Sequence, residues 1–516
     1  MRFALLLMLA AVLHAEDQYV AAVRAFADTA LAHGRDNYGP RHTPLFVDGI
    51  HFETREPVRW KSVDGRTWVL SDLGNQQLFF RTLAGLSALT GDPRYKQAAA
   101  DATRYAFDHL IEGGYLVWGG HMAYNASDDV SVFAEDKTKT HELKNNYPFY
   151  ELMWEIDPRT TKSLIENMWN GHILDWSTLD FNRHAFPKPM GALWKSEYKG
   201  GPVFFWGKGL TFINAAGDLY YAAAMLSQLS HDPEPLVWAR RLAHRYVETR
   251  NPKTGIGGYQ FSQAASSWCD DVGNIRGDRA QYFYAEDFPG HLVVEGTLFP
   301  TYGSTPEVHP RIAMFVLGEI LGAQGQEFTQ WAREELTAWG KAAYRAADNS
   351  FIPMLTDGTS MEGYTVRKDG YFGPKGRVLK AGRAGAQDFY TYALGYRITG
   401  DPFLLEMANR IRAANSFEKG GDPFALLGFL ELYRKRKERP LLQAAQSVGG
   451  NILAAGRFHS GWVKFDSLEP LALLHLSAAL QRRSSAVPPY NGGSGFFSAA
   501  YGNLGNKYDR FLYGTK

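Results

Sequence analysis

Cysteine is nearly absent from this 516-residue chain. The single thiol, Cys269, excludes an intrachain disulfide, so a chain of this size must be held together by its core. A small buried thiol is the ordinary role for such a residue. An excess of either charge is also missing, since 55 Lys and Arg face 54 Asp and Glu for a formal net charge of +1. Without a basic balance, nucleic acid is excluded as a general partner. Beyond the first fifteen residues there is no apolar run long enough to span a bilayer, which takes about 20 residues, so membrane insertion is not expected. Length alone would suggest about two to four domains. No Pro/Ser-rich linker or composition break marks a boundary between Ala21 and Arg483, however.

What is there begins with MRFALLLMLAAVLHA, which has one Arg, an apolar run and a small-residue end. That is the layout of a secretory signal peptide, 1–15, cleaved near Ala15/Glu16. Residues 16–516 are then expected as one soluble domain in a periplasm or outside the cell. Aromatic residues make up 14% of the chain, with 13 Trp and 27 Tyr. Packing accounts for many of these, but sugar rings also stack on aromatic faces, and the excess leans towards a carbohydrate groove.

One pattern recurs. LAGLSALTGDPRYKQAAADATRYA, AAAMLSQLSHDPEPLVWARRLAHRYV and YALGYRITGDPFLLEMANRIRAA each read as a helix, a short turn ending in Asp-Pro, and a second helix. Gly91 or Gly400 can end the first helix in the left-handed conformation. Asp92, Asp232 or Asp401 caps the second, and Pro93, Pro233 or Pro402 occupies its first turn, where a missing N–H costs nothing. WEIDPRTTKSLIENMWN is a weaker copy. Repeated αα-hairpins over so long a chain predict a helical repeat architecture. Irregular repeats, with long aromatic loops that carry the chemistry, favour a mainly α, closed α/α toroid of about seven pairs over an open solenoid.

Other segments are accessory. HTPLFVDGIHFETREPVRWK alternates β-branched and aromatic residues with polar ones, which predicts a short sheet or arm preceding the toroid. The Gly/Lys/Arg stretch from Asp357 to Asp388 is longer than structureless loops usually are. Its Lys368, Lys375, Arg377, Lys380 and Arg383 either meet an acidic polymer or are simply solvated. The tail 484–516 is too aromatic for simple disorder and is expected to pack across the toroid.

Chemistry concentrates between Trp118 and His184. WGGHMAYN, KTHELKNNYPFYELMWEIDP and NMWNGHILDWSTLDFNRHA gather His121, His141, Glu142, His172, Arg183 and His184 among aromatic side chains. Two imidazoles and a carboxylate, His121, Glu142 and His184, form a donor set for one divalent ion that only tertiary structure would assemble. Arg183 would place a cation beside it. A buried histidine is more often a hydrogen-bonded core residue than a ligand, and that is the expectation for His141 and His172. Lys139 and Lys144, flanking the His-Glu pair, are as readily solvated as functional.

This window, roughly residues 115–190, resembles the family-two polysaccharide lyases, pectate lyases whose toroid of paired helices holds a transition metal between two histidines and a glutamate. Glu142 follows His121 by 21 positions and His184 follows Glu142 by 42, intervals that match the family pattern. Arg183-His184 stands where that family has its catalytic arginine and last ligand. Elsewhere little aligns beyond the helix pairs, which marks a distant member. The resemblance implies an enzyme that cleaves polygalacturonate or related uronate oligomers by metal-assisted β-elimination to 4,5-unsaturated products; with the leader it is expected in the periplasm or outside the cell, as a monomer. It also implies His121, Glu142 and His184 as ligands of manganese, or of cobalt, nickel, iron or zinc, and Arg183 as the base. A guanidinium stays protonated up to about pH 12, so the sequence leaves open whether Arg183 or a metal-bound hydroxide takes the C5 proton. Lys375, Arg377, Lys380 and Arg383 are the expected substrate-binding cations.

Two other classes are open. A toroid without metal would be a glycoside hydrolase or epimerase acting on uronic-acid sugars, with Asp270-Asp271 and Glu286-Asp287 as candidate acids. A carbohydrate-binding scaffold would need neither metal nor Arg183.

Overall fold

The computed structural model describes residues 17–61, 66–118, 122–133, 141–143, 145–264, 308–365 and 375–493. The expected leader, His121, Lys139, Lys144, Cys269, both acidic pairs and Lys368 lie outside the described residues. The chain is built from helices α1 (Gln18–His33), α2 (Gln77–Thr90), α3 (Arg94–His109), α4 (Tyr150–Ile156), α5 (Pro158–His172), α6 (Ile213–Ser230) and α7 (Glu234–Glu248). They are followed by α8 (Val308–Leu321), α9 (Gln326–Ala342), α10 (Ala386–Thr399), α11 (Pro402–Asn415), α12 (Pro423–Arg436), α13 (Arg439–Ala455) and α14 (Glu469–Leu480).

Two kinds of helix alternate, and their sequences say why. In α3 the buried residues are Tyr95, Ala98, Ala99, Ala102, Thr103, Ala106 and Phe107, one stripe at helical spacing. A helix of that pattern lies on a core with its other face in water. In α14 every residue from Pro470 to Ala479 is buried, and in α6 all from Ala215 to Ser227. Helices apolar on all sides must be surrounded by protein. They form an inner ring in which α4 packs on α6, α6 on α8, α8 on α10, α10 on α12, α12 on α14 and α14 on α2. Gln77 closes the circle by accepting from the Phe149 N–H (2.8 Å), and Arg81 donates to the Pro148 carbonyl (3.2 Å). Helices α3, α5, α7, α9, α11 and α13 pack outside, and α1 takes the seventh outer place against α14. The result is the expected α/α toroid, with seven helix pairs among the described residues.

Inner-to-outer connections are one to four residues long. Gly91 (φ 77°), His231 (φ 62°) and Gly400 (φ 73°) take the left-handed conformation there. Asp401 caps α11, accepting from the Phe403 N–H (2.9 Å), and Pro402 opens that helix. In α3 and α7 the helix starts one residue after the proline, while Asp92 and Asp232 still accept the N–H two residues on. The weaker copy has the fullest cap, with Asp157 accepting from the N–H of Arg159 and Thr160 and from the Thr160 hydroxyl.

Outer-to-inner connections run the other way, and most are long and strand-bearing. Because the helices alternate in direction, they all emerge where the inner helices begin, which makes one end of the ring the loop-rich mouth. The β segment does not precede the toroid as expected. It lies between α1 and α2, and its strand Gly49–His51 pairs with Trp462–Lys464 in the connection before α14. Tryptophan serves mainly packing. Trp60, Trp169 and Trp238 are fully buried, and Trp169, Trp176, Trp194 and Trp238 meet mostly edge to face.

After α14 the chain turns back through the ring. Arg483 donates to the carbonyls of Ala88 and Leu89 at the C-terminal end of α2. Val487 packs at Gly85, Tyr490 against Tyr390 and Phe424, Asn491 against Tyr221, and Gly492 against His309 and Ile312. Residues 487–493 therefore touch most of the inner helices in turn and reach the mouth at Asn146. No helix among the described residues is long and apolar enough to cross a membrane.

Candidate active site

Two mouth connections build the site. The one between α3 and α4 carries the strand His141–Glu142, and the one between α5 and α6 carries His184–Ala185. The strands pair antiparallel with Glu142 opposite His184. Directly opposed residues share a face of the ladder, and His184 Nε2 lies 3.4 Å from Glu142 Oε1. The chain bends at Arg183, so this side chain reaches the same face, its Nη2 3.6 Å from the same oxygen. Leu143 N–H donates to the Arg183 carbonyl (3.0 Å) and fixes the bend. The Glu142 side chain is 3% exposed, Arg183 18% and His184 32%, so the carboxylate forms the floor and the cations the rim. The Arg183 guanidinium also stands over the Phe212 ring at 5.7 Å.

Behind this face runs a relay that the sequence did not disclose. His172 Nδ1 donates to the Asn182 carbonyl (2.7 Å), and its Nε2 accepts from His141 Nδ1 (2.7 Å). Because the carbonyl can only accept, each tautomer along the chain is set. His141 stacks on Tyr115 at 4.9 Å. Burial lowers its pKa to about 4, and burial together with His141 pushes His172 well below the ordinary value. Both rings are neutral and structural, as expected, and they tie the floor of one strand to the residue preceding Arg183. Asn182 adds a side-chain acceptor for the His184 N–H (3.0 Å).

Two buried carboxylates also escaped the sequence reading. Asp180 accepts from the Lys208 and Gly209 N–H groups and the Ser262 hydroxyl, and burial raises its pKa. It binds the strand-bearing segments of two connections to one another. Asp218, on α6, accepts from the N–H groups of Asn145 (2.7 Å), Asn146 (2.6 Å) and Tyr147 (3.3 Å). Asn145 (φ 54°) and Tyr147 (φ 40°) are left-handed, a conformation costing roughly 1–3 kcal/mol per non-glycine residue unless its surroundings impose it. The Asp218 carboxylate, gathering successive N–H groups, is one of the contacts that hold it.

The other expected site residues are placed less tightly. Lys375 and Lys380 are exposed and Arg377 is half-buried, in the connection that leads into α10 at the mouth. Arg383 donates to the Ala414 carbonyl (3.0 Å) and Asn415 Oδ1 (3.1 Å), which anchors it to the end of α11. Among the described residues no three His, Cys, Asp or Glu side chains come together as a metal cage. Glu142 and His184 do come together. Two donors bound tetrahedrally at about 2.1 Å would lie about 3.4 Å apart, which is the separation seen here. A carboxylate and an imidazole so held suit a divalent transition ion, with one more donor required.

A family model described as periplasmic pectate lyase matches residues 43–500. A pectate disaccharide-lyase from Dickeya dadantii (strain 3937) is 28% identical over 528 residues, covering 97% of this chain and 96% of the relative. Among solved structures, a D-mannose isomerase is similar at TM-score 0.44 and 13% identity, covering 78% of this chain and 87% of that one. An unsaturated glucuronyl hydrolase specific for heparin is similar at TM-score 0.39 and 11% identity, covering 90% and 98%.

Proposed function

This chain belongs to the periplasmic pectate lyase family, and from that membership we propose that it eliminates across uronate linkages of polygalacturonate at the Glu142, Arg183 and His184 face, with a divalent ion bound. It is a polysaccharide lyase, so the proposal concerns how it works and with what. The observation that carries the reading is the convergence of Arg183 and His184 on one buried carboxylate oxygen.

β-Elimination removes the proton at C5 of a uronate while the bond to the 4-oxygen breaks, and the adjacent carboxylate must absorb the developing negative charge. Glu142 and His184, with His121 as the expected third donor, would hold the ion, manganese being the first choice. When bound, the ion supplies Lewis-acid stabilisation of the substrate carboxylate. Arg183 sits at the lip of this floor, and its planar fork is suited to a carboxylate or to the carbon beside it. Glu142 holds that fork in place from below, and Phe212 covers its face. The mouth favours a polyanion in another way, since the N-termini of the inner helices point there and each carries partial positive charge.

Dialysed protein incubated with polygalacturonate should generate ultraviolet absorbance from the 4,5-unsaturated product, and added manganese should increase the rate. Reducing ends appearing without absorbance would replace elimination by hydrolysis. A rate unchanged by chelator and by manganese would remove the metal.

A further inference from the structure

We infer that Asn491, in the C-terminal segment that runs through the ring, is a positioning residue for the site, acting on Glu142 through Tyr147. The inference rests on the proposed reading of the Glu142, Arg183 and His184 face.

Glu142 lies only a few residues before a turn that is left-handed at Asn145 and Tyr147. Asp218 grips that turn through its N–H groups from one side. From the other side Asn491 Nδ2 donates to the Tyr147 carbonyl (2.8 Å) and to the Tyr221 hydroxyl (3.1 Å), and its Oδ1 accepts from the Gly493 N–H (3.2 Å). Asn491 is 1% exposed and Tyr147 fully buried, so this hydrogen bond is shielded from bulk solvent. The fit around it is close. A Cβ at Gly492 (φ 91°) would lie 2.6 Å from the His309 carbonyl oxygen, and one at Gly493 would lie 2.9 Å from that of Asn146. Glycine at both positions lets the segment lie flush against α8 and the turn. The Tyr147 hydroxyl meanwhile donates to Asn145 Oδ1 (2.9 Å), closing the turn on itself.

The turn is thus clamped between an inner helix and the tail. Without the Asn491 amide, the buried Tyr147 carbonyl loses this hydrogen bond, and the left-handed residues have a lower-energy right-handed alternative. Relaxation there shifts the strand that faces His184. Supports of this kind behind metal donors typically change affinity or activity by about 10 to 100-fold when removed.

The test uses the full chain carrying Asn491→Ala, with Gly493→Ala as an independent variant that pushes the tail off the Asn146 carbonyl while keeping the amide. For each, kcat and KM on polygalacturonate, the dissociation constant for manganese alone by electron paramagnetic resonance of the free ion, and the unfolding midpoint are measured. Asn491→Ala should lower kcat about 30-fold with KM within about two-fold, and weaken manganese binding about ten-fold. Gly493→Ala should shift the same quantities in the same direction by less. A role confined to stability would lower the midpoint and leave kcat per folded molecule and manganese affinity at wild-type values, and that result overturns the inference. If Asn491→Ala does not fold, Gly493→Ala decides by the same criterion. A wild-type chain that neither eliminates nor binds manganese sinks both readings, whereas an active wild type with silent variants sinks only this one.

Discussion

The two ends of the toroid are made by different rules. At the end with short connections, the turns are solved locally: left-handed residues such as Gly91, His231, Gly400 and Lys437 end inner helices, Asp92, Asp157, Asp232 and Asp401 accept from the start of outer ones, and a proline stands nearby in most, all within a few positions. At the mouth the solutions are non-local, with Glu142 facing His184, Asp218 holding residues 145–147, and Asp180 reaching Ser262. One end keeps the helices in register. The other uses that register as a frame for chemistry, and substitutions should separate the two accordingly.

The largest effect is expected at the lip of the mouth. Arg183→Ala should reduce turnover on polygalacturonate by about 10³-fold, a loss of about 4 kcal/mol in transition-state stabilisation, while bound manganese per chain stays near wild type. Activity largely retained on every uronan would make Arg183 a mere neighbour of the site. Next comes the floor. His184→Ala should lose about 10²-fold in activity together with bound metal, and high manganese should restore part of it; loss without any change in metal content would separate His184 from the ion. A smaller effect is expected further along the mouth. Neutralising Lys375, Arg377 and Lys380 together should raise KM by about three- to five-fold at low salt and flatten its salt dependence, because attraction between exposed charges is screened. An unchanged KM would return that segment to solvent. Smallest for function is the opposite end. Asp157→Ala removes the cap of α5 and should cost about 1 kcal/mol of stability, read as a lower unfolding midpoint, with kcat unaltered. A fall in kcat there would break the division between the ends.

That division also explains what was legible in the sequence. The toroid could be read because its turns are local, and Gly91, Gly400 and Asp401 do what their residue types favour. The donor intervals singled out Glu142 and His184 but carried no geometry; their opposition across the ladder comes from the fold, and His121 stands outside the described residues. Asp180, Asp218 and Asn491 were not legible. Each is an ordinary polar residue whose partner lies far along the chain, and only the packed ring brings them together. The β segment was misplaced for a related reason, since its partner strand, Trp462–Lys464, comes more than four hundred residues later. Arg383 was grouped with the other cations by composition, whereas its hydrogen bonds tie it to α11.

The pairing of α1 with α14 sets the order in which the molecule can be completed. The first of the described helices has its inner neighbour more than four hundred residues later, and the lumen is filled by residues that come later still. Helix pairs can form early, since their contacts are local and fast. Closing a loop of this length adds little entropy over closing a moderate one, so the obstacle is time rather than free energy. Until α14 arrives, the inner faces of α1 and α2 stay open, and an unfinished ring is an array with two sticky edges. Folding of this protein is therefore expected to finish from its C-terminus, with threading of Val487 to Gly493 as the event that turns a closed ring into a working one.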